Sequence, residues 1–86
     1  MSYIGPAKIH YSAAEAELRR LMCLRIIEGG CSGPVDLGDA LGWTHTKALE
    51  YLRSLKRKGY IYKDKENNIY VMTESGKEYY KKLKRS

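Results

Sequence analysis

The chain has 86 residues, a length that is enough for one domain with a modest hydrophobic core, and a formal net charge of +6. No apolar run approaches the roughly 20 residues of a membrane span, and the first residues lack the apolar core of a signal peptide, so we expect a cytoplasmic protein (nucleoid-associated, or in the host-cell cytoplasm if the protein is viral). Lys, Arg and Glu are plentiful and Gln is absent, a composition typical of thermophile or archaeal proteins.

The N-terminal part of the chain is predicted to form an arm, residues 1–11, followed by a helix over about residues 13–28. Gly5-Pro6 interrupts the arm, and Ser12 is the expected N-cap of the helix. Gly29-Gly30 ends the helix. Its apolar face is predicted from helical spacing as Leu18, Leu21, Met22 and Arg25, widened by Leu24, Ile26 and Ile27.

The centre of the sequence indicates a short helix and a glycine turn. Val35 has the character of a short strand, and Asp36 is the expected cap of a helix over about residues 37–41. Gly42 then supplies the left-handed residue of the turn. This outline is typical of the first half of a helix-turn-helix motif.

A longer amphipathic helix, about residues 45–58, follows the turn, with Thr44 as its N-cap and Gly59 after its end. Trp43 is expected to fill the space between this helix and the preceding one. The buried stripe of the helix is predicted from its i, i+4, i+7 spacing as Ala48, Leu52 and Leu55.

The last third of the chain is predicted to be a β-hairpin, about residues 60–73, and a final helix, about residues 74–84. The two strands are rich in aromatic and β-branched residues, and the loop between them contains two Asn residues, which tolerate left-handed geometry. Thr73 is the expected cap of the final helix. The predicted fold class is therefore α+β and mostly helical, with a three-helix core, a two-stranded hairpin and a short C-terminal helix within residues 12–86.

Positive charge is concentrated in the second half of the sequence. Residues 1–46 hold four cations and five acids, a net −1, whereas residues 47–86 hold twelve cations and five acids, a net +7. A basic surface attracts a polyanion because binding releases the counterions around its phosphates. The alternative is an ordinary solvated surface, so the charge alone leaves both interpretations open.

The order of these elements resembles the winged helix-turn-helix domain of small bacterial and archaeal transcription regulators of the MarR, PadR and ArsR type. The resemblance covers about residues 18–79, and the segments that carry it are IIEGG at 26–30, VDLGDALG at 35–42, LRSLKRKGYI at 52–61 and YVMTESGK at 70–77. The last segment is similar to the LTEKG that often follows the hairpin in this family. The resemblance implies a homodimer that binds double-stranded DNA, with the third helix in the major groove and the hairpin on the adjacent backbone or minor groove. It points to no cofactor and no small-molecule effector.

The candidate base-reading residues lie on the third helix, on the side away from its buried stripe. Arg53 is suited to guanine O6 and N7, and Glu50 to cytosine N4, although an ion pair between the two is an alternative for Glu50. For the whole group, the alternative is an ordinary exposed helix face. The predicted set is Thr44, His45, Thr46, Lys47, Glu50, Arg53 and Arg57.

The hairpin supplies a second group of candidates for DNA binding. Lys63 and Lys65 are suited to phosphates, contacts that add affinity without sequence information. Lysines on an exposed strand edge also prevent strand pairing, and that is the alternative. The predicted hairpin set is Lys63, Lys65, Asn67 and Asn68.

The two cysteines, Cys23 and Cys31, are too few for a zinc site, and we expect no metal. A bridge between them would require Cys31 to fold sharply back to within about 7 Å of the helix. Cys23 is either a buried apolar residue or, if the first helix lies at a dimer interface, part of an intersubunit disulfide or a redox-sensing thiol.

Three functions are compatible with the sequence. We expect a sequence-specific transcription regulator; the alternatives are a protein-interaction module and a sequence-independent architectural DNA-binding protein. The charge of residues 47–86 weighs against the interaction module. No enzyme is expected, because neither His10 nor His45 is accompanied by a nucleophile, a carboxylate pair or a phosphate-binding glycine loop.

Overall fold

The computed structural model describes the backbone of residues 4–85 and the side chains of residues 15–85. The elements follow in the order α1 (Ile4–Gly29), α2 (Pro34–Leu41), α3 (His45–Arg57), β1 (Ile61–Asp64), β2 (Ile69–Met72) and α4 (Glu74–Arg85). The protein is therefore α+β and mostly helical, with one antiparallel hairpin, as the sequence predicted. Among the described residues, no helix combines the length and the apolar character needed to cross a membrane.

The first helix begins earlier than the sequence predicted. Its backbone is helical from Ile4, so residues 4–11 of the predicted arm are continuous with α1. Pro6 does not interrupt the helix, because it lies in the first turn, where its missing N–H needs no acceptor. Ser12 consequently lies inside the helix and is not its N-cap. Residues 1–3 of the predicted arm lie outside the described residues.

The buried side of α1 also differs from the prediction. Cys23, Leu24 and Ile27 are buried, whereas Leu18 is 54% exposed and Arg25 is exposed. Residues 21–27 are apolar at almost every position, so helical spacing alone did not define one face. The packing of α2, α3, α4 and β2 against α1 selects the buried side.

One hydrophobic core joins the helices to the hairpin. The predicted stripe of α3, with Ala48, Leu52 and Leu55, is confirmed, because all three side chains are buried. The remaining buried apolar residues around it are Cys23, Leu24, Ile27, Cys31, Leu37, Ile61 and Tyr80.

The loop before α2 is organised differently from the prediction. The helix begins at Pro34, and Asp36 lies in its first turn and does not cap it. The Asp36 carboxylate instead accepts hydrogen bonds from the backbone N–H of Ser32 at 3.1 Å and from its hydroxyl at 2.5 Å. These bonds favour the charged form and lower the pKa of Asp36. They tie the loop to the helix that follows it.

The expected strand at Val35 is absent, since Val35 is helical and 61% exposed. The backbone contact between this region and the hairpin occurs at Cys31, whose carbonyl accepts a hydrogen bond from the N–H of Tyr70 at 2.8 Å. A proline at the first position of α2 favours the helix, and this local preference overrides the strand propensity of the valine.

The turn between α2 and α3 has the predicted glycine geometry. Gly42 has φ 70°, and Trp43 donates its backbone N–H to the carbonyl of Gly38 at 2.9 Å. Trp43 is half-buried, with its ring 5.0 Å from that of Tyr51 on α3. A Cβ on Gly38 would lie 2.9 Å from the carbonyl oxygen of Trp43, so the close approach of these segments requires a glycine that the sequence alone did not single out.

The hairpin and α4 agree with the prediction to within one residue at each boundary. The strands pair from Ile61 with Met72 to Asp64 with Ile69. Asn68 has φ 57°, the left-handed geometry expected of the loop. Thr73 caps α4, because its Oγ1 accepts a hydrogen bond from the N–H of Gly76 at 3.0 Å.

Candidate nucleic-acid interface

The outward side of α3 carries four exposed polar residues, which we call the outer stripe. They are spaced i, i+4, i+7 and i+11, so helix geometry aligns them on the side opposite the buried stripe. The members of the outer stripe are Thr46, Glu50, Arg53 and Arg57.

The first turn of α3 exposes His45 next to the outer stripe. Thr44 acts as the N-cap, with its Oγ1 accepting from the N–H of Lys47 at 3.2 Å. The N–H of Ala48 bonds to the Thr44 carbonyl at 3.0 Å. Because the first amides of a helix have no intrahelical acceptor, those of His45 and Thr46 are available to an anion such as a phosphate oxygen.

Lys47 is only partly exposed, since its Nζ lies 4.7 Å from the centroid of the Trp43 ring. This cation–π contact directs the lysine toward the turn and away from the outer stripe. Of the predicted residues at the start of α3, Thr44 and Lys47 therefore stabilise the turn and the cap, while His45 and the outer stripe face solvent.

The middle of the outer stripe contains the one acid of α3, Glu50, three residues before Arg53. An ion pair between them was the alternative at this spacing, but Glu50 forms no ion pair with Arg53 or with any other residue in the described part of the chain. Both side chains are exposed. The stripe thus presents a carboxylate and a guanidinium one turn apart, neither of them paired with a described residue.

The hairpin candidates have different roles in the structure. Lys63 donates to the carbonyl of Ser32 at 2.6 Å, and its Nζ lies 4.8 Å from the centroid of the Tyr70 ring. It therefore holds the loop before α2 against the hairpin. Lys65, in the hairpin loop, is exposed and makes no hydrogen bond or ion pair with the described residues.

The two asparagines shape the hairpin loop. The Asn67 side-chain amide donates to Asp64 at 2.8 Å, and the N–H of Glu66 donates to the same carboxylate at 3.0 Å. These bonds lower the pKa of Asp64, the bond from Asn67 contributing most. Because Asn68 supplies the left-handed residue, both asparagines have a structural role in the loop, and Lys65 is the hairpin candidate best placed for an external contact.

Both cysteines are free thiols with buried side chains, Cys23 at 0% and Cys31 at 1% exposure. The thiol of Cys31 donates to the carbonyl of Gly33 at 3.4 Å. Burial raises the pKa of Cys23 to about 12 and also raises that of Cys31. The burial favours the structural interpretation of these residues over an intersubunit disulfide, which would need an accessible sulfur.

An open groove of about 680 Å³ lies away from α3, between the end of α1, strand β2 and α4. Ile27, Ile69 and Met72 form apolar parts of its wall, and Glu28, Lys77 and Lys81 lie among its polar residues. No residue of α3 lines it, so the groove and the outer stripe are separate surfaces.

The residues that sequence reasoning missed are those whose partners are distant in the chain. Ser32 holds Lys63 across 31 residues through its carbonyl group, which every residue type possesses. No sequence signal distinguishes such an acceptor. Gly38 and Gly76, each of which lies too close to the backbone of another segment to carry a Cβ, did have a sequence signal. Each occupies a helical position, where glycine is otherwise unfavourable.

Comparison with known proteins found no protein-family model, no curated protein and no solved structure that matches this chain. Its function is therefore inferred from the geometry and charge of the chain itself.

Proposed function

We propose that this chain is a winged-helix protein that binds double-stranded DNA and regulates transcription as a homodimer. The observation that carries the proposal is the outer stripe of α3, exposed along its whole length and backed by a fully buried apolar stripe. The order of α2, a glycine turn, α3 and a hairpin is consistent with a winged-helix layout.

In the proposed complex, α3 lies in the major groove with its N-terminal turn toward the base edges. His45 and Thr46 contact bases or phosphates there, and Arg53 donates to guanine O6 and N7. Arg57, in the last turn, lies toward the phosphates at the rim of the groove. The net charge of +7 on residues 47–86 supplies the sequence-independent attraction.

The hairpin, which follows α3 and packs against it through β1, contacts the adjacent backbone or minor groove. Lys65 is its proposed phosphate contact. The residues predicted from the sequence thus divide into contacting and supporting residues according to their partners within the protein. The supporting residues hold the two DNA-facing elements in shape without touching DNA, and they are Thr44, Lys47, Lys63, Asn67 and Asn68.

A homodimer would place two copies of α3 on successive turns of one face of the duplex, roughly 34 Å apart. Sedimentation equilibrium measures the mass directly, and a purely monomeric protein at all concentrations would contradict the dimer.

Fluorescence anisotropy with a duplex selected from a random pool, and with a scrambled duplex, at two salt concentrations, tests the DNA proposal. We expect the wild-type protein to bind the selected duplex more tightly than the scrambled one. Arg53→Ala should reduce the ratio of these two affinities about tenfold, the usual scale of a bidentate guanine contact. Arg25→Ala is the matched control, since it removes the same charge from an exposed position on α1.

The other two functions give different results in the same titration. An architectural protein binds both duplexes equally, with a steep salt dependence. A protein-interaction module shows negligible affinity for either duplex at physiological salt. If Arg53→Ala and Arg25→Ala affect both duplexes identically, the proposed docking of α3 is wrong.

A further inference from the structure

The central position of Glu50 has a consequence for the DNA sequence that this protein can accept, provided that the proposed docking of α3 holds. Glu50 is the one acid of α3, is exposed, and has neither an ion-pair nor a hydrogen-bond partner among the described residues. Its charge is therefore not neutralised by any of the described residues. In the major groove, it would have to be compensated by the DNA.

Most groups on the major-groove edge cannot compensate a carboxylate. Guanine presents the acceptors N7 and O6, thymine presents O4, and phosphates are negative. The available donors are the amino groups, N4 of cytosine and N6 of adenine, and a carboxylate is suited to cytosine because adenine also presents the acceptor N7 beside its amino group. An exposed acid on a reading surface therefore acts by excluding sites as well as by binding one, the logic of negative selection between partners.

The spacing of Glu50 and Arg53 adds a second requirement. Three residues advance a helix by about 4.5 Å, about a third more than the 3.4 Å rise of one base pair in B-DNA, so the two side chains can reach neighbouring base pairs. Since the two side chains are not paired with each other, one can accept from cytosine N4 while the other donates to guanine O6 and N7.

We propose that Glu50 is a specificity-determining residue that restricts binding to duplexes with a cytosine amino group opposite α3 and a guanine within one base step of it. Glu50 lowers the affinity for every other duplex. Its effect on affinity thus has the opposite sign from that of a cationic contact such as Arg53.

Three variants test this inference: Glu50→Ala, Glu50→Gln and the control Glu78→Gln. Glu78 is exposed on α4, outside the outer stripe, so the control removes one negative charge without changing α3. Each variant is used to select duplexes from a random pool, and its affinity for the selected and the scrambled duplex is measured at one salt concentration. Circular dichroism confirms that the variants fold, as expected for substitutions at exposed positions.

We expect Glu50→Ala to bind the scrambled duplex several-fold more tightly than the wild type, and to lose about tenfold of its preference for cytosine at one position. Glu50→Gln should shift that preference toward adenine, because glutamine pairs with adenine N6 and N7. Glu78→Gln should leave the selected sequence unchanged.

Two results overturn the inference alone: Glu50→Ala selects the wild-type sequence with undiminished preference for cytosine, or it loses affinity for both duplexes. A wild-type protein that binds all duplexes equally, or none, overturns the proposed function, and the role of Glu50 fails with it. The two failures are distinguished by the wild-type selection, which is performed first.

Discussion

Gly76 in the first turn of α4 lies directly against the backbone of Tyr60, so closely that an added Cβ would overlap the Tyr60 carbonyl oxygen. The contact brings α4 back across the start of the hairpin. Two further contacts join Tyr60 to α4 and the residue before it. The Thr73 N–H donates to the Tyr60 carbonyl at 3.0 Å, and the rings of Tyr60 and Tyr79 stack with their centroids 4.3 Å apart.

We predict that Gly76→Ala lowers the free energy of unfolding by about 2 kcal/mol or more, because the overlap is with backbone, which cannot rotate away as a side chain would. Urea denaturation followed by circular dichroism measures the effect. Gly29→Ala is the control: nothing lies within 4 Å of a Cβ at Gly29, which ends α1, and alanine there should be neutral or slightly stabilising. Equal stability of the two variants would contradict the close crossing of α4 over Tyr60.

The Thr73 hydroxyl joins the end of the hairpin to α4, because it is both a hydrogen-bond donor and a hydrogen-bond acceptor. The Oγ1 accepts from the N–H of Gly76 and donates to the carbonyl of Gly59 at 2.6 Å. We predict that Thr73→Ala lowers the free energy of unfolding by about 1–2 kcal/mol, the usual loss for a helix cap. Thr73→Ser retains the hydroxyl and should recover most of this loss in the same denaturation experiment. A serine variant as unstable as the alanine variant would show that the methyl group, and not the hydroxyl, matters.

Local signals predicted part of the structure correctly, although Ser12 and Asp36, two further expected caps, lie inside helices. Thr44, Gly42 and Thr73 act in the structure as their residue types suggest, since a cap or a turn depends on a few neighbouring residues. The prediction was wrong for the buried face of α1, which is selected by the packing of other elements and not by helical spacing. It was also wrong for Val35, where the neighbouring Pro34 favours a helix over the predicted strand. The roles of individual candidates were also hidden, because Lys63 differs from Lys65 through partners that are distant in the sequence, the Ser32 carbonyl and the Tyr70 ring.

Burial of the two cysteines predicts slow reaction with thiol reagents in the folded protein. A buried sulfur is inaccessible, and the raised pKa of Cys23, about 12, keeps it in the unreactive thiol form. Labelling with Ellman's reagent should therefore be slow in buffer and complete quickly in denaturant. Non-reducing electrophoresis should show no disulfide-linked dimer. Rapid labelling of the native protein would contradict the burial of these side chains.

The same pKa shift predicts a loss of stability in alkaline solution. The folded state keeps the Cys23 thiol protonated above its ordinary pKa of 9.0, whereas the unfolded state releases the proton, so rising pH favours unfolding between pH 9 and about 12. Below pH 9, both states are protonated and the contribution is constant. Cys23→Ala should reduce the decrease in unfolding free energy over this range, although its overall stability is lower because it loses buried volume. An unchanged pH dependence would show that Cys23 does not contribute to it.

Lys63 and Lys65 should separate stability from DNA affinity, since one is bonded within the protein and the other is exposed. We predict that Lys63→Ala lowers the free energy of unfolding by about 1 kcal/mol, through loss of the bond to Ser32 and the contact with the Tyr70 ring. Lys65→Ala should leave stability unchanged and, if the hairpin contacts a phosphate, reduce the slope of log affinity against log salt by about 1. Each variant serves as the other's control, because both remove one lysine charge from the hairpin. A reduced salt slope for Lys63→Ala, with none for Lys65→Ala, would reverse the roles assigned to them, since it would require Lys63 to leave the Ser32 carbonyl to reach DNA.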